Sequence, residues 1–217
     1  MIVASPRIEK LRAHALAARP AGGGGAEWEY NGYKGWLDSC RDGRSLTMRW
    51  GMTKRYVLSH ADAVIDDGEL LVGKYAARVL TPDEEAELAL LRRYVAPAMP
   101  AHEGQGSHMA VDYEKLLRLG SSGVAREIRD HMEKTDPASP KGMEKLGFYE
   151  GCLAALQGLE TLSDRYAAEA LRQAETAPEP RRSELLRIAE ICARVPKYPA
   201  ATFYEALQAV HFLSFCM

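Results

Sequence analysis

The chain has 217 residues, 47% hydrophobic and 27% charged, with a formal net charge of −2. Length and composition suit a globular body with one sizeable core, and the near-neutral balance argues against nucleic acid or an anionic membrane surface as a partner. The N-terminal Met-Ile-Val-Ala-Ser-Pro-Arg7 lacks the apolar core of a secretory signal, and no apolar run is long enough to span a bilayer, so the expected location is cytoplasmic. Cys40, Cys152, Cys192 and Cys216 form neither a CxxC pair nor a zinc spacing and read as free thiols of a reducing compartment.

Ser5-Pro6 is a cap followed by proline at the first helical position, and Ile8, Leu11 and Leu16 give a helical stripe that ends by Pro20. Residues 20–26 are glycine-rich and read as a loop or linker. Trp28, Tyr30, Tyr33 and Trp36, spaced by glycines, predict an ordered loop with aromatic anchors. A helix is expected from Leu46 to about His60. Asp66-Asp67-Gly68 signals a turn, with an extended piece after it and at most one short hairpin over 65–72. Thr81-Pro82-Asp83-Glu84 combines N-cap, proline and capping box, and starts a helix to about Tyr94. Residues 95–110 read as a loop. Asp112 caps a short helix, 113–119, stopped at Gly120; another covers about 124–132. Ser139-Pro140 opens the longest helix, to about Thr176, and Ser183 to Val195 forms the next.

The last segment, from Thr202 to Met217, opens with a capping-box spacing (Thr202, Glu205) and then becomes strongly apolar, with no closing glycine, proline or basic turn. It predicts that Met217 is not the end of a self-sufficient structure, and that further chain or a partner covers residues 203–217. On that reading, changing Phe212 and Phe215 to serine improves solubility. Residues 1–217 therefore read as a single incomplete domain.

Four segments in order carry a family resemblance: Lys145-Leu-Gly-Phe-Tyr-Glu-Gly-Cys152, Ser163-Asp-Arg-Tyr-Ala-Ala-Glu-Ala170, Ser183 through Pro196, and Pro199 through Phe212. Together with Ile65-Asp-Asp-Gly-Glu-Leu-Leu-Val-Gly73 and the run from Gly106 to Gly120, they resemble the N-terminal half of glycyl radical enzymes, the pyruvate formate-lyase superfamily with its dehydratase and decarboxylase branches. The resemblance covers about residues 44–217. It implies a mainly α chain, the helical N-terminal portion of a ten-stranded α/β barrel. It also implies an anaerobic lyase in which a radical-SAM activating enzyme installs a glycyl radical. That radical passes to a cysteine, and the thiyl attacks a small-molecule substrate. The family carries these groups in Gly-Cys-x-Glu and Arg-Val-x-Gly-Tyr loops, and neither occurs here. Residues 1–217 alone are expected to be inactive, with no catalytic residue and no cofactor of their own. Chemistry would need the missing C-terminal part, and the assembly is compatible with a homodimer.

The resemblance makes His108 the leading substrate-binding residue, in a glycine-bracketed loop where a side chain can enter a cavity, with His102 a weaker version of the same idea. Ser107 stands between Gly106 and His108 where the family has Gly-His, and a loop-bracing role is the alternative. No third ligand joins His102 and His108 at useful spacing except Glu103, so no metal is assigned. Asp112 and Tyr113 read as cap and packing anchor, His211 as a hydrogen-bonded core residue, and Glu150 and Glu160 as solvated. The alternative to a lyase portion is a standalone helical module, or a remnant, that binds a partner through the apolar helix 203–217.

Overall fold

The structure, a computed structural model, describes residues 4–17, 25–40, 44–74, 78–100 and 111–216. Eight α-helices follow one another among the described residues: α1 Pro6–Ala17, α2 Gly25–Ser39, α3 Leu46–His60, α4 Pro82–Tyr94, α5 Tyr113–Glu133, α6 Gly142–Ala174, α7 Arg181–Arg194 and α8 Phe203–Cys216. No β-strand occurs among the described residues, and none of these helices is long and apolar enough to cross a membrane.

The long helix α6 is the spine, with α3 and α7 packed along it. The α3–α6 crossing is a backbone contact. A Cβ on Gly51 would lie 2.0 Å from the Gly151 carbonyl oxygen, and one on Gly158 would lie 2.7 Å from the Arg55 Cα. The main core fills the space between these helices and α8. Leu58, Leu162, Tyr166, Leu185, Ile188 and Phe212 are all essentially inaccessible. Two smaller clusters flank it, one under α4 around Tyr30, Leu88 and Leu91, the other where Leu116 of α5 meets Ile191, Val195 and Ala209.

The Thr81 capping box forms as its spacing predicts. Thr81 Oγ1 accepts from the Glu84 amide at 3.3 Å, and Glu84 accepts from the Thr81 amide at 2.8 Å. Gly120 interrupts α5 at φ 66°, ψ 169°. The left-handed φ suits glycine, and the tight approach of the 196–200 segment leaves no room for a Cβ, which would sit 2.4 Å from the Lys197 oxygen. Backbone bonds lock the two together, Ser121 N to Pro196 O at 2.8 Å and Ala200 N to Leu117 O at 3.1 Å. α6 begins at Gly142, later than Ser139-Pro140 suggests, because Lys141 takes a left-handed φ of 69°.

One expectation is corrected. The aromatic stretch after the glycine run is helix α2, including Gly25 and Ala26, while the rest of the 20–26 linker lies outside the described residues. Its buried positions, Glu27, Tyr30, Asn31, Gly35, Trp36 and Ser39, extend over more than half of the helix circumference, because both α3 and α4 pack against it. Gly35 is where α3 comes close, since a Cβ would meet that of Tyr56 at 2.7 Å. Residues 65–72 form no hairpin, within the expected limit of at most one, and the piece after the turn bends at Leu70 and Leu71. Part of the apolar surface of α8 is covered from within the chain. Phe212 is 0% exposed and Phe215 8%, with Trp28 of α2 packed edge-on against Phe215 at 5.3 Å. Phe203, at the start of α8, is 81% exposed.

Candidate functional site

The irregular segment 69–74 is held by side chains rather than by a neighbouring strand. Gln208, buried in α8, accepts from the Val72 amide at 3.0 Å and donates Nε2 to the Val72 carbonyl at 2.6 Å. One primary amide thus satisfies both backbone groups of one residue. Tyr204 donates to the Leu70 carbonyl. His211 Nε2 lies 2.7 Å from the Gly73 oxygen, and Tyr166 Oη accepts from the Lys74 amide at 3.2 Å. His211 is therefore the half-buried, hydrogen-bonded residue its setting predicts. Burial pushes the Tyr166 hydroxyl up to about 12, which keeps it a neutral donor and acceptor.

α8 in turn meets the start of α5. Asp112 caps α5, accepting from the Lys115 amide at 2.9 Å, and Tyr113 Oη hydrogen-bonds Ser214 Oγ at 3.0 Å. The cap and the anchor read from the sequence both form. His102 and His108 belong to 101–110 and lie outside the described residues. What the structure supplies is the fixed edge beyond them, tied through Tyr113 to α8. Glu160 is corrected from solvated to structural: its Oε1 accepts from Ser121 Oγ at 2.5 Å, bracing the α5 interruption. Glu150 is exposed.

A second polar cluster escaped the sequence reading. Glu27, 1% exposed, accepts from the Asp62 amide at 3.0 Å. Arg78 pairs with Glu84 at 2.8 Å, while its Nε is 3.4 Å from Asp62 and 3.7 Å from Glu27. Glu27 Oε2 and the Nε atoms of Arg78 and Arg165 have no hydrogen-bond partner. Desolvation, then the Asp62 charge, raises the Glu27 pKa above the ordinary carboxylate value. No local signal marks Glu27, whereas Gln208 is detectable as a lone amide on an apolar helical face.

Three of the four thiols are poor nucleophiles. Burial pushes Cys192 and Cys216 up to about 12 and raises Cys152 as well, so at neutral pH these three are protonated. Lys54, half-buried, donates to the Cys216 carbonyl at 2.8 Å near the Trp28 ring, and desolvation lowers its pKa. Among the described residues no three His, Cys, Asp or Glu side chains gather as a metal site. The glycyl radical of the resembled family does not fit this chain, because none of its glycines stands in the Arg-Val-x-Gly-Tyr setting.

The helical layer defines the class. It superposes over 99% of its length on a structure solved for 1,2-propanediol dehydration in Roseburia inulinivorans, with a TM-score of 0.83 at 23% identity, covering 34% of that chain. The B12-independent glycerol dehydratase of Clostridium butyricum gives a TM-score of 0.82 at 22% identity, over 99% of this chain and 34% of that one. Both show a common fold, that of the helical N-terminal portion of pyruvate formate-lyase-fold enzymes. The chain belongs to the pyruvate formate lyase-like family, whose model matches residues 83–217. The isethionate sulfite-lyase of Oleidesulfovibrio alaskensis is 27% identical over 79% of this chain, and the indoleacetate decarboxylase of Tractidigestivibacter scatoligenes is 36% identical over 52% of it. This chain spans 28% and 13% of their respective lengths.

Proposed function

We propose that the chain is the N-terminal portion of a glycyl radical lyase or dehydratase, one that breaks a C–C or C–heteroatom bond of a small metabolite by thiyl-radical chemistry. The carrying observation is the near-complete superposition on dehydratase-type structures together with the family match over residues 83–217. Its own residues would supply helical packing and one wall of the substrate pocket. The glycyl and thiyl loops would come from the remainder of such an enzyme, and a radical-SAM activase would install the radical. Within that reading His108, with His102 beside it in sequence, would hold a substrate hydroxyl or carboxylate. The setting is cytoplasmic and anaerobic.

The test starts from the reading frame beyond codon 217. Its full product, incubated anaerobically with an activase and S-adenosylmethionine, should show the electron paramagnetic resonance signal of a glycyl radical, whereas residues 1–217 alone should show neither signal nor turnover. A frame, together with its neighbours, that lacks both loops would refute the lyase reading. In the full product, His108→Gln should raise KM about tenfold with kcat largely kept, the loss of one hydrogen bond to substrate. An unchanged KM would make His108 a loop brace. The interaction-module alternative would have to use Phe203 and Leu207, the exposed apolar residues of α8, because Phe212, Phe215 and Cys216 are covered within the chain.

A further inference from the structure

Helix α1 is attached unlike any other helix of the chain. It buries none of its twelve residues. Its contacts to the body run along one face, at positions 7, 10 and 14, the spacing that aligns side chains on a helix. Arg7 makes a two-point pair with Glu184 of α7, at 2.7 and 2.9 Å, and donates Nε to the Gly68 carbonyl at 2.6 Å. Lys10 meets Asp67 at 2.7 Å, and His14 Nδ1 is 2.6 Å from Asp66. Leu11, half-buried, approaches the Gly68 position. The receiving surface is the Asp66-Asp67-Gly68 turn with Glu184. That turn is independently fastened by Arg181, which donates to the Glu69 and Asp66 carbonyls, and by Lys74, which pairs with Asp66 and Glu69. None of these bonds involves α1.

We propose that α1 is a releasable ionic strap over the acidic turn 66–68, docked at low ionic strength and detached at high ionic strength while the rest of the chain stays folded. A helix of this length is marginal alone in water, so the helicity of α1 depends on its docking. The docking rests on one exposed pair, Lys10–Asp67, and two partly buried ones, Arg7–Glu184 and His14–Asp66, with a single half-buried leucine; pairs open to solvent are individually weak and screened by salt. The other helices bury apolar side chains and lack this dependence. Detachment frees Asp67, Glu184 and the Gly68 carbonyl from their α1 partners and leaves an anionic surface that suits a cationic segment. The inference does not depend on the lyase reading.

Amide hydrogen exchange on the full chain tests it. Between about 0.05 and about 0.5 M NaCl, the range over which the screening length falls from about 14 to about 4 Å, exchange over residues 6–17 should speed up about tenfold, with α6 unchanged. The double variant Arg7→Gln, Lys10→Gln, confined to the strap itself, should show the fast α1 rate already at low salt. Exchange in α1 that ignores salt would overturn the proposal. So would slow low-salt exchange in the double variant.

Discussion

Replacing Gly51 by alanine tests the spine of the fold. The added methyl carbon would lie 2.0 Å from the Gly151 carbonyl oxygen, 2.4 Å from its carbon and 2.5 Å from its Cα. Those neighbours are backbone, so no rotamer change relieves the contact, and α3 must move by more than an ångström to reach an ordinary separation. Overpacking of this kind costs about 1–3 kcal/mol or more. The exchange also returns about 0.8–1.0 kcal/mol, since alanine is the better helix former. The clash is at the severe end, so the expected net loss is about 2 kcal/mol, a fall in Tm of about 4–8 °C for a chain of this size. Urea unfolding followed by circular dichroism measures it, with Gly32→Ala as control. That position, in α2, has nothing within 4 Å of the added carbon, and should gain about 0.5–1 kcal/mol. A Gly51→Ala chain as stable as the parent would refute the backbone contact between α3 and α6.

Gln208→Leu should cost about 2–4 kcal/mol, because it leaves the buried Val72 N–H and C=O without partners; a loss below about 1 kcal/mol in the same assay would mean that water replaces the amide. Phe212→Ala should destabilise by about 3–5 kcal/mol, and Phe212→Ser should lower soluble yield, the reverse of what an uncovered α8 predicts. Glu27→Gln bears on pH. The folded Glu27 pKa lies above its unfolded value, so its contribution to stability is complete below the unfolded value and is lost as pH rises through the folded one. The variant should therefore gain on the parent as pH rises from about 4 towards 7; parallel stability curves across that range would contradict the raised value. Glu184 behaves oppositely. Arg7 holds it down to about 2, so its contribution is present above the ordinary carboxylate range and disappears as pH falls towards 2, a loss that Glu184→Gln should abolish in acid unfolding curves.

Local chemistry made much of this fold legible. Thr81 and Glu84 fix the start of α4 through bonds three residues apart, and Gly120 interrupts its helix through a backbone angle that glycine readily adopts. Helix α2 was misread because propensity counts Gly32 and Gly35 against it, while Gly35 in fact makes room for α3, which only tertiary packing reveals. The 69–74 segment reads as strand-like, yet its hydrogen-bond partners are side chains, one of them 136 residues away, beyond the reach of any turn signal. The apolar content of α8 is correctly read, but its covering by Trp28, Tyr166 and the 61–72 stretch is again non-local. Of the candidate site, the sequence supplies the anchors Asp112 and Tyr113; the Glu27 cluster assembles from four separate stretches of chain and leaves no pattern in any of them.

The amide at position 208 has a consequence for mutational tolerance. Glutamate has almost the same shape but offers no donor to the Val72 oxygen when ionised; methionine matches the volume and offers neither group; asparagine carries the right amide on a shorter arm. Replacements that are mild on a helix surface are therefore severe here. Such a position has little room for gradual drift, and a descendant that loses the glutamine must rebuild the course of residues 69–74.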